Sequence, residues 1–273
     1  MIEVKERTPR LLIIGGAEDK TGECEILREY LALAGGSSAR IAIMPVASEV
    51  PEEAGEQYRE LFVRMGAASA DVLSLESRDD ARNPENVELV HKASSVFFTG
   101  GSQAKIVQLL GGTPIDTALH RRVEQGMLLA GTSAGAAMMS ATMILEGESP
   151  SPRSDLVTIG SGMEFLSGAI IDQHFGQRGR IHRLLAVVAQ FPHSLGVGID
   201  EDTALFVQGH EARVLGSGSV TVLDAGSTTF NDALAISGDE PVTLCGVTLH
   251  SLPRNRRFDL LERRPLFEEE TQS

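Results

Sequence analysis

A serine bracketed by glycines at the end of an apolar run is the side chain in this sequence best placed to attack a carbonyl. Met127 to Ala130 is apolar, and Gly131-Thr132-Ser133-Ala134-Gly135 leads on to further small residues from Ala136. Glycines two positions to either side let the chain turn sharply from strand to helix. The hydroxyl then stands exposed, with the first helical amides facing the reacting carbonyl. A serine hydroxyl is a weak nucleophile at neutral pH and needs a base, usually a histidine held in one tautomer by a carboxylate. Of the seven histidines, His91, His120 and His182 fall on expected helices, and His193, His210 and His250 fall in turns or hairpins. His174 is different, because Ile170-Ile171-Asp172-Gln173-His174-Phe175 places it directly after an apolar strand, where open parallel sheets form their ligand crevices. The orienting acid is expected at another strand end. Glu201 in Gly198-Ile199-Asp200-Glu201-Asp202-Thr203 meets that condition, and spacing does not separate it from Asp200 or Asp202.

An attacked carbonyl develops an oxyanion that needs preorganised N–H donors. The amide of Ala134 is one candidate, and the amide of Gly101, in the turn Phe98-Thr99-Gly100-Gly101-Ser102-Gln103, is another. Arg178, Arg180 and Arg183 lie within six positions that start four residues after His174. In so acidic a chain they suggest a carboxylate clamp, since the planar guanidinium fork makes bidentate bonds. Gly15-Gly16 lacks the third glycine of a dinucleotide fingerprint and precedes Glu18 and Asp19, whose charges repel a pyrophosphate. A tight turn beside the site is the better reading.

Positioning these groups calls for a sheet covered by helices. Short apolar runs alternate with amphipathic stretches through the first half, the pattern of an α/β fold with a mostly parallel sheet. Strands are expected at Leu11 to Ile14, Arg40 to Val46, Asp71 to Leu75, Ser95 to Thr99 and Met127 to Ala130. Helices are expected at Gly22 to Leu33, Pro51 to Met65, Gln103 to Leu110 and Thr117 to Gln125. Beyond about residue 155 come shorter strands at Leu156 to Ile159, Ala169 to Ile171, Gly196 to Ile199, Ala204 to Val207, Ser219 to Leu223 and Thr243 to Leu252. A helix near Gly179 to Phe191 interrupts them, and the last third reads as antiparallel β-hairpin extensions of the sheet. No repeat or linker divides the chain, so residues 1–273 are expected to form a single hydrolytic α/β domain, with a frayed tail from Glu268 to Ser273.

Bulk properties exclude several partners. A net charge of −14 opposes polyanion binding, and the scarcity of aromatic residues (4%, with no tryptophan) removes the stacking platforms of single-strand binders, so no nucleic acid is expected. Cys24 and Cys245 lack metal or redox spacing and read as buried thiols in a reducing cytoplasm. Met1 to Arg7 is polar, the run Leu11 to Ile14 is too short for a signal-peptide core, and no run approaches membrane-spanning length. Neither a metal nor an organic cofactor is called for by serine acyl transfer.

Four stretches together carry a resemblance: Gly-Thr-Ser-Ala-Gly-Ala around Ser133, Gly-Gly-Ser-Gln ending at Gln103, Asp-Gln-His-Phe at His174, and Arg-Gly-Arg-Ile-His-Arg over Arg178 to Arg183. The sequence resembles the cyanophycinases, serine-type exopeptidases related to peptidase E. Leu-Leu-Ile-Ile-Gly-Gly-Ala-Glu-Asp near the start, Gly-Ile-Asp-Glu at Glu201 and Arg-Phe-Asp-Leu near the end extend the likeness over nearly the whole chain. It implies a flavodoxin-like, class I glutamine-amidotransferase-like fold and a homodimer. It implies Ser133 as nucleophile, His174 as base and Glu201 as orienting acid, with Gln103, Asp172, Gln173, Arg178, Arg180 and Arg183 lining the substrate pocket. The implied substrate is cyanophycin, a poly-aspartate backbone carrying arginine on its side-chain carboxyls, and the implied products are β-aspartyl-arginine dipeptides. Ser102 departs from the family, which often has a larger polar residue there. Three alternatives are a peptidase E-like aspartyl dipeptidase acting on soluble β-aspartyl peptides, a glutamine amidotransferase, which would need cysteine at position 133, and an inactive binder of zwitterionic peptides. An α/β-hydrolase esterase would place its acid before its histidine.

Overall fold

The computed structural model describes residues 8–147, 151–153, 157–236 and 240–267. The polar start Met1 to Arg7, the tail Glu268 to Ser273 and Leu156, the first residue of one expected strand, lie outside the described residues. In chain order the first half runs β1 (Arg10–Ile14), α1 (Glu25–Ala34), β2 (Arg40–Met44), α2 (Pro51–Arg64), β3 (Ser69–Val72), α3 (Pro84–Lys92), β4 (Ser95–Phe98), α4 (Gln103–Leu110), α5 (Pro114–Glu124), β5 (Leu128–Thr132) and α6 (Ala134–Ala137). The second half adds β6 (Thr142–Glu146), β7 (Thr158–Ser161), β8 (Ala169–Gln173), α7 (Ile181–Gln190), β9 (Leu195–Ile199), β10 (Thr203–Gln208), β11 (Glu211–Gly216), β12 (Ser219–Asp224), β13 (Phe230–Asn231), β14 (Leu244–Cys245), β15 (Thr248–Pro253), β16 (Arg257–Asp259) and β17 (Arg264–Leu266).

Nine strands form the main sheet in the order β17-β16-β11-β10-β1-β5-β4-β2-β3. From β1 to β3 all neighbours are parallel, and on the other side of β1 the strands β10, β11, β16 and β17 extend the sheet antiparallel. This is the expected helix-flanked sheet with C-terminal hairpins. Its centre is apolar on both faces: Leu11 and Ile13 of β1 enter one buried cluster, and Leu12 and Ile14 enter the other. Such runs need cover on each side. The helices α1 and α2 supply Leu27, Tyr30 and Phe62 to one face, while α4 and α5 supply Ile106 and Leu119 to the opposite face. Pro51, Pro84 and Pro114 each open a helix, where a missing N–H is harmless.

The segment after residue 155 differs from a run of hairpins. A second sheet, ordered β15-β12-β9-β8, holds β8 and β9 as parallel neighbours, with α7 as the crossover between them. Leu184, Val187 and Val188 of α7 pack beside Ile170 of β8 and Leu223 of β12, while Ile171, Val197 and Val222 of the same sheet join the core shared with the main sheet. Strands β8, β9 and β12 are thus covered on both faces, which a hairpin in solvent would not be, while β15 forms an edge on which only Leu252 is buried. The expected strand Thr243 to Leu252 is broken by Gly246 at φ 81°, and Cys245, expected buried, is exposed on the two-residue strand β14, whereas Cys24 is buried.

Two registers bring distant residues to one edge. Ile14 pairs with both Thr132 and Ala204, so β1, β5 and the start of β10 end level with one another. Gln173 pairs with Ile199, so His174 and Asp200 emerge side by side from β8 and β9.

Candidate active site

Ser133 sits between β5 and α6 with φ 53° and ψ −109°, a conformation a side chain adopts only where its surroundings enforce it. Those surroundings are visible. Its amide donates to the Ile14 carbonyl at 3.0 Å, and its carbonyl accepts from the Ala136 and Ala137 amides, each at 3.0 Å. A methyl on Gly131 would collide with the carbonyl of Gly135, and one on Gly135 would lie 2.7 Å from Phe98 Cβ, so both glycines allow α6 to lie against β4 and β5. Thr132 and Ala134 are buried while Ser133 keeps partial exposure. The helix α6 is only four residues long, so the Ala134 amide itself, and not a long helix dipole, is what this turn offers an oxyanion.

Ser133 Oγ lies 3.0 Å from His174 Nε2, and His174 Nδ1 lies 2.7 Å from Glu201 Oε1. Three strand ends, far apart in sequence, meet in one hydrogen-bonded line. Its neighbours separate the three acids. Asp200 accepts from the Gly176 amide at 2.9 Å and from the Ser219 amide and hydroxyl at 3.1 and 2.9 Å. Asp202 accepts from the Asp19 amide at 2.9 Å and the Ser217 hydroxyl at 2.8 Å, leaving Glu201 as the one that reaches the imidazole. The Glu201 amide in turn donates to Gln177 Oε1 at 2.9 Å.

The imidazole is only 12% exposed, and burial holds His174 below the ordinary histidine pKa. The hydrogen bond that Nδ1 donates to Glu201 pulls the value back up, while the positive charges of Arg178 and Arg180 push it down. The net direction favours a neutral ring, the form able to take a proton. His174 adopts φ 50°, and its amide donates to the Gly15 carbonyl at 2.8 Å. Gly16, at φ 99°, lies flat under the ring: a methyl there would sit 2.5 Å from Nε2 and overlap Cε1. The Gly15-Gly16 turn is therefore the floor of the site.

Gly100 borders the serine, its hypothetical Cβ lying 3.4 Å from Ser133 Cβ. Gly101, at φ 137°, packs so closely on the Ala47 carbonyl that no side chain fits. Gln103 Nε2 donates to the Ile144 carbonyl at 2.8 Å, anchoring α4 to β6. Asp172 is wholly buried; its Oδ2 accepts from Arg183 Nε at 2.6 Å, its Oδ1 also accepts from Arg183, and Arg180 Nη1 lies 3.5 Å away. Arg180 also donates to the carbonyl and side-chain oxygen of the buried Gln173, at 2.6 and 3.1 Å. Their spacing suggests all three arginines as a carboxylate clamp, and the resemblance implies Asp172 among the pocket-lining residues; in the structure only Arg178 of the three arginines is exposed, and Asp172 is committed to internal arginines. Periodicity places Asp172 on a strand but says nothing of its partner. Two further residues carry no sequence signal of this kind, Gln177 and Glu18, the latter buried behind Thr132. Among the described residues, no group of three or more His, Cys, Asp or Glu side chains is arranged to hold a metal ion.

Comparison with known proteins adds to this geometry. The profile of peptidase family S51 matches residues 11–215. The chain is 40% identical over 265 residues to the cyanophycinase of Nostoc sp. (strain PCC 7120), covering 94% of this chain and 89% of that protein. It is 38% identical over 259 residues to the cyanophycinase of Geminocystis herdmanii, covering 94% and 95%. Its fold resembles that of a peptidase from an acI-B1 actinobacterium, with TM-score 0.65, 23% identity and 91% and 98% of the two chains covered. A putative peptidase E from Listeria monocytogenes shares the fold at TM-score 0.55 and 16% identity, covering 77% and 98%.

Proposed function

The chain belongs to peptidase family S51 and is a serine-type peptidase, and from that premise we propose that it hydrolyses cyanophycin as an exopeptidase, releasing β-aspartyl-arginine dipeptides. The observation that carries the reading is the line Ser133–His174–Glu201, with its 3.0 and 2.7 Å contacts, beside an exposed Arg178. His174 takes the Ser133 proton as Oγ attacks a backbone α-peptide carbonyl, and Glu201 orients the ring and stabilises the imidazolium. The Ala134 and Gly101 amides hold the oxyanion. His174 then protonates the leaving amine, and water releases the acyl group by the same route. Each repeat of the polymer shows a carboxylate and a guanidinium. Arg178 meets a carboxylate, and Gln103, Gln173, Arg180 and Arg183 form the inner wall, with Asp172 as the internal counter-ion that holds the guanidinium groups in place. A single hydrolytic domain over residues 1–273, a cytoplasmic location and the homodimer that the family resemblance implies complete the proposal.

Incubation with insoluble cyanophycin and mass spectrometry of the supernatant tests it. Release of β-aspartyl-arginine, lost in Ser133→Ala, is the expected result. Hydrolysis of free aspartyl dipeptides with no attack on the polymer would replace this reading with the dipeptidase one, and analytical ultracentrifugation reads the dimer.

Two variants probe the base. Arg178→Gln removes a positive charge that depresses the His174 pKa. The neutral imidazole is the working form, so the acid limb of kcat/KM, which reports the free-enzyme pKa, lies below about 6.5 in the wild type and moves to higher pH in the variant. A limb that stays put, or moves to lower pH, refutes the electrostatic assignment. Gly16→Ala drives a methyl into the imidazole, and displacement of the base on the scale of 1 Å is expected to lower kcat about 10²-fold. Circular dichroism establishes that the variant is folded, and unchanged turnover in a folded variant would contradict the role of the turn as floor.

A further inference from the structure

Glu18 follows β1 within a polar loop, where a carboxylate is ordinarily solvated. Instead it is 3% exposed. A buried carboxylate is tolerable only when its lone pairs and charge are satisfied, and here both oxygens are used. Oε1 accepts from the Tyr58 hydroxyl and lies 3.2 Å from the Lys20 ammonium, and Oε2 accepts from Thr132 Oγ1 at 2.6 Å. The Lys20 ammonium also lies over the Tyr58 ring, 5.1 Å from its centroid. Tyr58 cannot yield easily, since its ring packs 4.7 Å from Phe97 and 6.0 Å from Phe62 between α2 and the sheet. Glu18 is thus wedged between a fixed aromatic cluster and the residue that immediately precedes Ser133.

The loop that carries Glu18 also holds the base. Gly15 and Gly16 offer their carbonyls to the amides of His174 and Asp202, at 2.8 and 2.9 Å, and Ala17, at φ 49°, turns the chain inward so that Glu18 enters the core. Left-handed conformations at Ala17, Ser133 and His174 persist only when neighbouring contacts over-determine them. A single carboxylate links the loop that seats His174 to the strand that presents Ser133. We propose that Glu18 is a positioning residue, which clamps Thr132 so that Ser133 Oγ meets His174 Nε2, with Lys20 holding its charge. This rests on the reading of Ser133 as nucleophile given above.

Loosening the clamp leaves substrate contacts alone and lowers the fraction of molecules in which hydroxyl and imidazole are aligned. Glu18→Ala is expected to lower kcat about 10²-fold, with KM within twofold of wild type, and to slow Ser133 labelling by a small fluorophosphonate equally. Glu18→Gln, which can still accept from Thr132 but not from Tyr58 as well without repacking, is expected to recover about tenfold of that loss. Thr132→Val is expected to show the same kcat-without-KM pattern, and the Glu18→Ala/Thr132→Val double variant to be no slower than the worse single variant. If Glu18→Ala does not fold, Thr132→Val and Glu18→Gln carry the test. Labelling rate and kcat within twofold of wild type in the folded variants, a rise in KM at constant kcat, or multiplicative losses in the double variant would each overturn the inference while leaving the nucleophile reading intact. A wild-type protein that is not labelled at Ser133 would overturn both.

Discussion

Replacing Ser133 with alanine is expected to lower kcat for polymer hydrolysis by a factor on the order of 10⁴ to 10⁶ while leaving binding to the polymer and the thermal midpoint nearly unchanged. The change removes one oxygen from a partly exposed side chain, whose backbone stays tied to Ile14, Ala136 and Ala137, so the fold has little to lose. The reaction loses its nucleophile. Residual rate comes only from the amides that hold the oxyanion and from substrate positioning. His174→Ala is expected to cost about as much, and the double variant no more than either, because the groups on this hydrogen-bonded line act as a unit and their losses do not multiply. Turnover assays on cyanophycin with the three proteins check both points. A Ser133→Ala protein that retained even a tenth of wild-type turnover would end the acyl-enzyme mechanism.

Asp172→Ala is expected to destabilise the protein by about 3–5 kcal/mol, because it strands buried guanidinium groups with no counter-ion. Arg183 is 4% exposed and Arg180 7%, and Arg183 meets Asp172 through both Nε and Nη2. Neither arginine can swing out to water without unpacking α7, whose first turn follows Arg180 directly. For a chain of this size the loss corresponds to a fall in Tm of roughly 10 °C. Asp172→Asn keeps the shape and one accepting oxygen but sets an N–H donor against a guanidinium and loses the charge, and is expected to fall between the wild type and Asp172→Ala. Differential scanning calorimetry gives the answer; a Tm within 2 °C of wild type in Asp172→Ala would mean that Asp172 is no structural counter-ion. An exposed clamp, as the arginine spacing suggests, would have predicted a KM effect and no stability effect.

Much of the architecture is legible in the residues because it follows from local rules. Apolar runs such as Leu11 to Ile14 must be covered on two faces, proline opens a helix, and glycines at 131 and 135 permit a tight strand-to-helix turn, so the alternating first half and the position of Ser133 emerge without coordinates. Histidine at the end of an apolar strand is visible for the same reason. The second sheet is less legible: the strands around His174 are too short for pattern to tell a parallel crossover through α7 from a hairpin, and only the packing of α7 on β8 and β12 decides it.

Order of residues is enough to announce the kind of chemistry available, a serine presented on a turn with an imidazole and an acid on later strand ends, since sterics and periodicity act over a few residues. Only the folded chain settles which acid reaches the ring, that Gly16 lies beneath it, that Asp172 faces arginines within the protein, and that Glu18 is buried behind Thr132. Those outcomes depend on the registers of Ile14 with Thr132 and of Gln173 with Ile199. Register is a relation between strands distant along the chain, set by the whole core at once, and no local pattern encodes it.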